Sequence, residues 1–295
     1  MRKGIQAILF VLILAISYAA QVKPATNVNV IPDVVYGHKD GMALTFDVFK
    51  PKTNPNGAAV IFIVSGGWVS RYTPPNEVVP RYQQLFDKGF TVIMLRHGGS
   101  PKYLIPEIVA DVRRGVRFIR YRAKDWGIDP NRLGVWGWSA GGHLSLMIGL
   151  AADNGDPTAK EDFMKESDRV QAVVAYFPPV DLRPIVRGVN PPPTGTALDN
   201  YPALNFEKEK AAYYSPIVFV TPDDPPTLLI HGDKDDLVPI RNSQIIFDGL
   251  EKDNVKTDFI TIPGAGHGFR GEDLKRALSA TVSWFEQTLL KHGKP

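Results

Sequence analysis

Short apolar runs rich in β-branched residues alternate along the chain with longer stretches in which apolar positions recur every three or four residues. The runs fall at Leu44–Phe49, Ala59–Val64, Thr91–Leu95, Leu133–Trp136, Val170–Tyr176, Thr227–Ile230 and Phe259–Ile262. Most are apolar at consecutive positions, the pattern of strands buried on both faces. Between them, Ile108, Val112, Val116 and Ile119 lie on one side of a helix over about Glu107–Ala123. Leu144, Met147, Ile148 and Ala151 repeat that spacing, as do Leu274, Leu278, Val282, Phe285 and Leu289. Alternating strands and helices predict an α/β domain, a mostly parallel sheet covered on both faces. The first two runs, joined by the turn-rich "KPKTNPNG", read as an antiparallel pair. Residues 181–215, with Pro184, Pro191, Pro192, Pro193 and Pro202, break the alternation. Long loops inside a compact domain tend to be functional, so this insertion is expected to form a small cap over a site.

At 295 residues the chain has room for one large domain with a substantial core. Its first segment is expected not to belong to that domain. Arg2 and Lys3 precede the apolar run Ile8–Ile16, and the small residues Ala19 and Ala20 follow. This is the layout of a secretory signal over residues 1–20, cleaved near Ala19 or Ala20. The run is shorter than the ~20 apolar residues needed to cross a bilayer. The expected mature chain, residues 21–295, is therefore secreted or periplasmic, with no stable membrane insertion. Without Arg2 and Lys3, a charge of +3 becomes about +1, which implies neither a nucleic-acid nor an anionic-membrane partner. With no cysteine, disulfides, thiolate nucleophiles and thiolate metal sites are excluded.

Candidate chemistry centres on "WGWSAGGHL". Gly137-Trp138-Ser139-Ala140-Gly141 fits the G-x-S-x-G pattern, in which a strand turns sharply into a helix and presents the serine. The run Leu133–Trp136 leads in and the helical stretch Ala140–Ala151 leads out. A serine N-cap at an ordinary turn is the plainer alternative. A serine hydroxyl needs a base to take its proton, and the base needs an orienting carboxylate. Both are expected in loops after later strands. "FITIPGAGHGF" presents His267 among Gly264, Gly266 and Gly268, and "TLLIHGDKDDLVP" presents Asp233, Asp235 and Asp236. Serine, aspartate, histidine is the chain order that accompanies this elbow. His38, His97, His143, His231 and His292 read as surface or structural residues, His143 pointing away from the hydroxyl.

With these motifs the chain resembles an α/β-hydrolase. It is most similar to small esterase and lipase-type members related to acetyl-xylan and feruloyl esterases and to acyl-peptide-hydrolase catalytic domains. The resemblance runs from about Val34 to Leu290 and implies a twisted sheet of about eight strands. It also implies that the triad acid is the fourth residue of a G-x-x-D-x-x-V-P loop. In Gly232-Asp233-Lys234-Asp235-Asp236-Leu237-Val238-Pro239 that residue is Asp235. Asp236 is the runner-up, and Asp233 is expected to cap its own loop's amides. An oxyanion hole is implied at the amide of Ala140 and at that of Gly67 or Trp68. The latter pair lies in Val64-Ser65-Gly66-Gly67-Trp68, where Ser65 replaces the usual histidine of an H-G-G motif.

The resulting expectation is an exported serine hydrolase that cleaves carboxylic esters through an acyl-enzyme on Ser139, without metal or organic cofactor. Trp68, Tyr72 and the 181–215 insertion are expected to line the substrate pocket. So short an insertion suggests an open site for short acyl or aryl esters, either small molecules or groups linked to polysaccharide. A serine peptidase of prolyl-oligopeptidase type would use the same triad, but such enzymes carry a large access-restricting domain. A non-catalytic binding protein of this fold would be expected to lack part of the triad.

Overall fold

The computed structural model describes residues 27–290; residues 1–20, expected to be a signal segment, and His292 lie outside the described residues. In chain order the elements are β1 (Val28–Lys39), β2 (Met42–Pro51), β3 (Ala59–Ile63), α1 (Pro75–Arg81), α2 (Gln83–Asp87), β4 (Thr91–Leu95) and α3 (Ile105–Arg122). They continue with β5 (Leu133–Trp138), α4 (Ala140–Leu150), β6 (Ala172–Tyr176), β7 (Thr227–Gly232), α5 (Arg241–Lys252), β8 (Thr257–Ile262) and α6 (Gly271–Phe285). Among the described residues the strands form one eight-stranded sheet in the order β1-β2-β4-β3-β5-β6-β7-β8. Only β2 runs against the others.

The mostly parallel sheet agrees with the hydrophobic pattern, but the early pairing does not. β2 and β3 are not neighbours. β4 lies between them, antiparallel to β2 through Phe46↔Leu95 and parallel to β3 through Ile63↔Leu95. A parallel return needs a crossover of a dozen or more residues, which α1 and α2 supply, and it delivers β4 into the slot beside β3. β1 has no counterpart among the apolar runs. Bulges between Ile31 and Val34 and between Val35 and Gly37 break its alternation. Its turn was nevertheless readable, because Asp40-Gly41, at φ 48° and 79°, is a two-residue hairpin connection of the Asp-Gly kind.

Strand residues alternate between two cores. Ile61, Ile63 and Leu95 face α3, α4 and α5 on one side; Val60, Phe62, Val92 and Trp136 face α1, α2 and α6 on the other. Every residue of α4 is buried, so this helix has no polar face and is held on all sides. It begins immediately after Ser139 and fixes where that residue sits. Residues 181–215 are built from short 3-10 turns at Ala197–Asn200, Pro202–Leu204 and Lys208–Tyr214. Among the described residues no helix is long and apolar enough to cross a membrane.

Candidate active site

β5 runs through Gly137 and Trp138, and the chain reverses into α4 at Ser139, which adopts φ 53° and ψ −117°. Non-glycine residues avoid such a conformation unless the surroundings impose it. Here the close approach of strand and helix imposes it. A Cβ on Gly137 would lie 2.4 Å from the carbonyl of Gly141, and one on Gly141 would lie 2.7 Å from the Ile63 oxygen. The Ser139 amide donates to the Tyr176 carbonyl at 2.9 Å, fastening the turn to β6. The serine does not cap the helix with its side chain. Its Oγ lies 2.9 Å from His267 Nε2.

His267 follows β8, and its Nδ1–H donates to Asp235 Oδ2 at 2.8 Å. Asp235 is buried. Its Oδ1 accepts the amides of Leu237 at 3.0 Å and Val238 at 2.8 Å, which fixes the carboxylate plane. Asp236 is exposed, makes no hydrogen bond to the imidazole, and lines the cavity beside Ser139. Asp233 does not cap its own loop; its Oδ1 accepts the Gly264 amide at 2.7 Å and ties the acid loop to the histidine loop. Serine, imidazole and carboxylate, drawn from three loops at one end of the sheet, thus form one continuous hydrogen-bonded chain.

Three neighbours of this chain have no place at the site in the sequence pattern, where two of them, His143 and His231, read as surface or structural residues. Phe177, at φ 37° directly after β6, sets its ring 4.7 Å from the His267 ring in an edge-type contact. Its only sequence signal is its place at a strand end before Pro178 and Pro179. His231 is wholly buried behind Asp235. Its Nε2–H donates to the Val238 carbonyl at 2.8 Å and lies 3.3 Å from Asp235 Oδ2, while Ser243 Oγ–H donates to its Nδ1 at 2.7 Å. Burial lowers its pKa. His143 is also fully buried and makes no side-chain hydrogen bond to Ser139, with its pKa pushed down to about 4 by burial.

The glycine loop after β3 forms a two-residue turn. Gly66 and Val69 exchange both backbone hydrogen bonds at 3.0 Å, with Gly67 at φ 57° and Trp68 at φ 59°. The amides of these two residues are not taken up by backbone acceptors in that turn. The Ala140 amide, at the first position of α4, has no partner within the helix. Ser65 is no substitute for a histidine anchor, because its Oγ is buried without a partner.

A cavity of about 590 Å³ opens beside Ser139, Gly67 and Trp68. Its walls are mostly apolar, with Pro184, Ile185, Leu198 and Tyr201 from the insertion on one side and Leu237, Val238 and Ile245 on the other. Trp68 lines it as expected; Tyr72 does not. Its exposed ring lies under the Arg96 guanidinium, 5.5 Å away, and Tyr201 occupies the place against Gly67 and Trp68 instead. The chain after Trp68 turns toward Arg96 and carries Tyr72 off the cleft. Among the described residues no group of three or more His, Asp or Glu side chains is placed to hold a metal ion.

Comparison with known proteins agrees with this architecture. The esterase LipC of Mycobacterium tuberculosis is 30% identical over 250 residues, covering 80% of this chain and 59% of that protein. An acetylxylan esterase of Xylanibacter ruminicola is 37% identical over 99 residues, 32% of this chain and 19% of that one. Among solved structures, a truncated carbohydrate esterase from gut microbiota superimposes with a TM-score of 0.72 at 27% identity, covering 89% of this chain and 97% of the other. The fold is that of the α/β-hydrolases. The chain spans little more than half the length of the mycobacterial relatives it matches. The family profile described as BD-FAE matches residues 46–250, the stretch from β2 through α5 that carries Gly67, Ser139 and Asp235, and by that match the chain belongs to the BD-FAE family.

Proposed function

We propose that the protein is a serine hydrolase of carboxylic esters, and that Ser139, His267 and Asp235 are its catalytic residues. The observation that carries this reading is the pair of hydrogen bonds Ser139 Oγ to His267 Nε2, 2.9 Å, and His267 Nδ1 to Asp235 Oδ2, 2.8 Å. His267 accepts the hydroxyl proton as Ser139 Oγ bonds to the ester carbonyl carbon. The carbonyl oxygen becomes an oxyanion, held by the amides of Ala140 and of Gly67 or Trp68. Each such donor typically contributes ~3 kcal/mol to transition-state stabilisation. His267 then protonates the departing alcohol, and the acyl group stays on Ser139. Water, deprotonated by the same imidazole, releases the acid and restores the hydroxyl.

A fluorophosphonate probe tests the nucleophile: it is expected to label Ser139 in wild type and to leave Ser139→Ala unlabelled. The signal reading of residues 1–20 predicts that the labelled band lies in the exported fraction and is shorter than the full chain. Labelling confined to the cytoplasm at full length would overturn export, and absent labelling would overturn the nucleophile.

The substrate proposed is an ester of a short acyl or aryl acid, on a small molecule or a polysaccharide. The similarity to an acetylxylan esterase and to a carbohydrate esterase supports this class, and so does a mostly apolar cavity of a size that suits an aromatic ring. Across nitrophenyl esters and acetylated or feruloylated xylan, kcat/KM is expected to favour short and aryl acids. Preference for chains longer than about ten carbons would defeat the proposal.

A further inference from the structure

Four residues beyond Ser139, His143 takes part in none of these steps, yet both its ring nitrogens are engaged. Trp68 Nε1–H donates to Nδ1 at 3.2 Å, and Nε2–H donates to the Tyr214 carbonyl at 2.8 Å. A carbonyl can only accept and an indole N–H can only donate, so the two partners together require a neutral ring with its proton on Nε2. Burial, which holds the pKa down to about 4, keeps the ring in that state.

The indole so held belongs to Trp68, which has a positive φ of 59°, unusual for so bulky a side chain and retained only where the surroundings over-determine it. On the backbone side, the turn is closed by Gly66 and Val69, and the Ser100 amide donates to the Trp68 carbonyl at 3.0 Å. On the side-chain side, the ring stands edge-on to His143 at 5.7 Å and to Tyr201 at 6.2 Å. The indole is thus held at its far end by His143 and flanked by Tyr201.

We propose that His143 is a positioning residue for the oxyanion turn: by accepting the Trp68 indole N–H it keeps the Gly67–Trp68 peptide aimed at the cleft. Through the Tyr214 carbonyl it also ties the turn to the insertion that walls the cavity. The proposal rests on the serine-hydrolase reading, because the turn affects rate only if an oxyanion forms. A donor that engages the oxyanion more strongly than the ground-state carbonyl affects kcat and leaves KM nearly unchanged.

The test compares Trp68→Phe, which keeps the ring and deletes the N–H, with His143→Leu, which deletes the acceptor, and His143→Asn, which restores an acceptor and a donor. Each is assayed with a nitrophenyl ester and with a trifluoromethyl ketone. Ser139 Oγ adds reversibly to the ketone carbonyl carbon, its proton passing to His267 and the carbonyl oxygen becoming a bound oxyanion. Trp68→Phe and His143→Leu are each expected to lower kcat per active site about tenfold, with KM within about twofold, and to weaken the ketone by the same factor. His143→Asn is expected to recover most of the loss. Unchanged kcat and ketone affinity in Trp68→Phe, or a lowered melting temperature in His143→Leu with both constants unchanged, would overturn the proposal. If His143→Leu does not fold, Trp68→Phe and His143→Asn decide. A wild type that fluorophosphonate does not label would sink the serine-hydrolase reading instead, so the two failures are distinguishable.

Discussion

Replacing Asp235 by Asn is expected to lower kcat by roughly 10³–10⁴-fold, the scale of tautomer errors in serine triads, while Asp236→Asn stays within about threefold of wild type. The direction follows from the hydrogen bonds. Oδ1 of residue 235 accepts two backbone amides, from Leu237 and Val238, so the amide oxygen of an asparagine is held there. Its NH₂ then takes the place of Oδ2, facing His267 Nδ1 and the Nε2–H of His231. An NH₂ group can only donate. His267 is forced to carry its proton on Nε2, where it opposes the Ser139 hydroxyl instead of accepting its proton. Asp236 meets neither the imidazole nor the acid loop's amides and is exposed. Steady-state kinetics on a nitrophenyl ester checks the contrast, and a larger loss in Asp236→Asn would move the triad acid by one position.

The residues that meet at this site were legible because each sits in a short segment whose local geometry is set by its own sequence. Gly137 and Gly141 permit the close approach at Ser139; a buried run followed by a glycine-rich or acidic loop marks a strand end facing the cleft. The sheet order was not legible in the same way. β3 and β4 have the same burial pattern, five buried residues each, and nothing in such a run says which neighbour it pairs with. β1 escaped notice because its bulges destroy the period of two. Side chains that depend on tertiary placement were the hardest. Tyr72 stands only four residues from Trp68, yet the loop carries it to Arg96, and Tyr201, 133 positions from Trp68 in the chain, takes its place on the cleft. His143 and His231 read as structural residues; the partner of His143, Trp68, lies 75 positions away and leaves no mark in the local spacing, whereas that of His231, Asp235, stands only four residues on at the same strand end.

Those buried histidines set the second large expectation, a loss of stability on acidification. Burial pushes His97 and His143 down to about 4 from an ordinary 6.5, and it lowers His231 as well. Above pH 6.5 these rings are neutral in both folded and unfolded chains and make no difference. Between 6.5 and about 4 the unfolded chain binds protons that the folded one does not, so stability falls as pH falls. For each ring held near 4 the full loss is ~3 kcal/mol at ~1.4 kcal/mol per pH unit, a large share of the ~5–15 kcal/mol that stabilises a typical domain. Asp111, Asp168 and Asp224 act in the opposite sense, since burial raises all three, Asp224 to about 6. The comparison must therefore cancel them. His97 supplies it, because Nδ1–H donates to the adjacent Gly98 carbonyl, its Nε2 is buried without a partner, and it lies outside the triad. In urea unfolding at pH 7.5 and pH 4.5, His97→Gln is expected to lose roughly 2–3 kcal/mol less stability than wild type between the two conditions. The same pH dependence in both proteins would show that the ring at position 97 takes up its proton without unfolding.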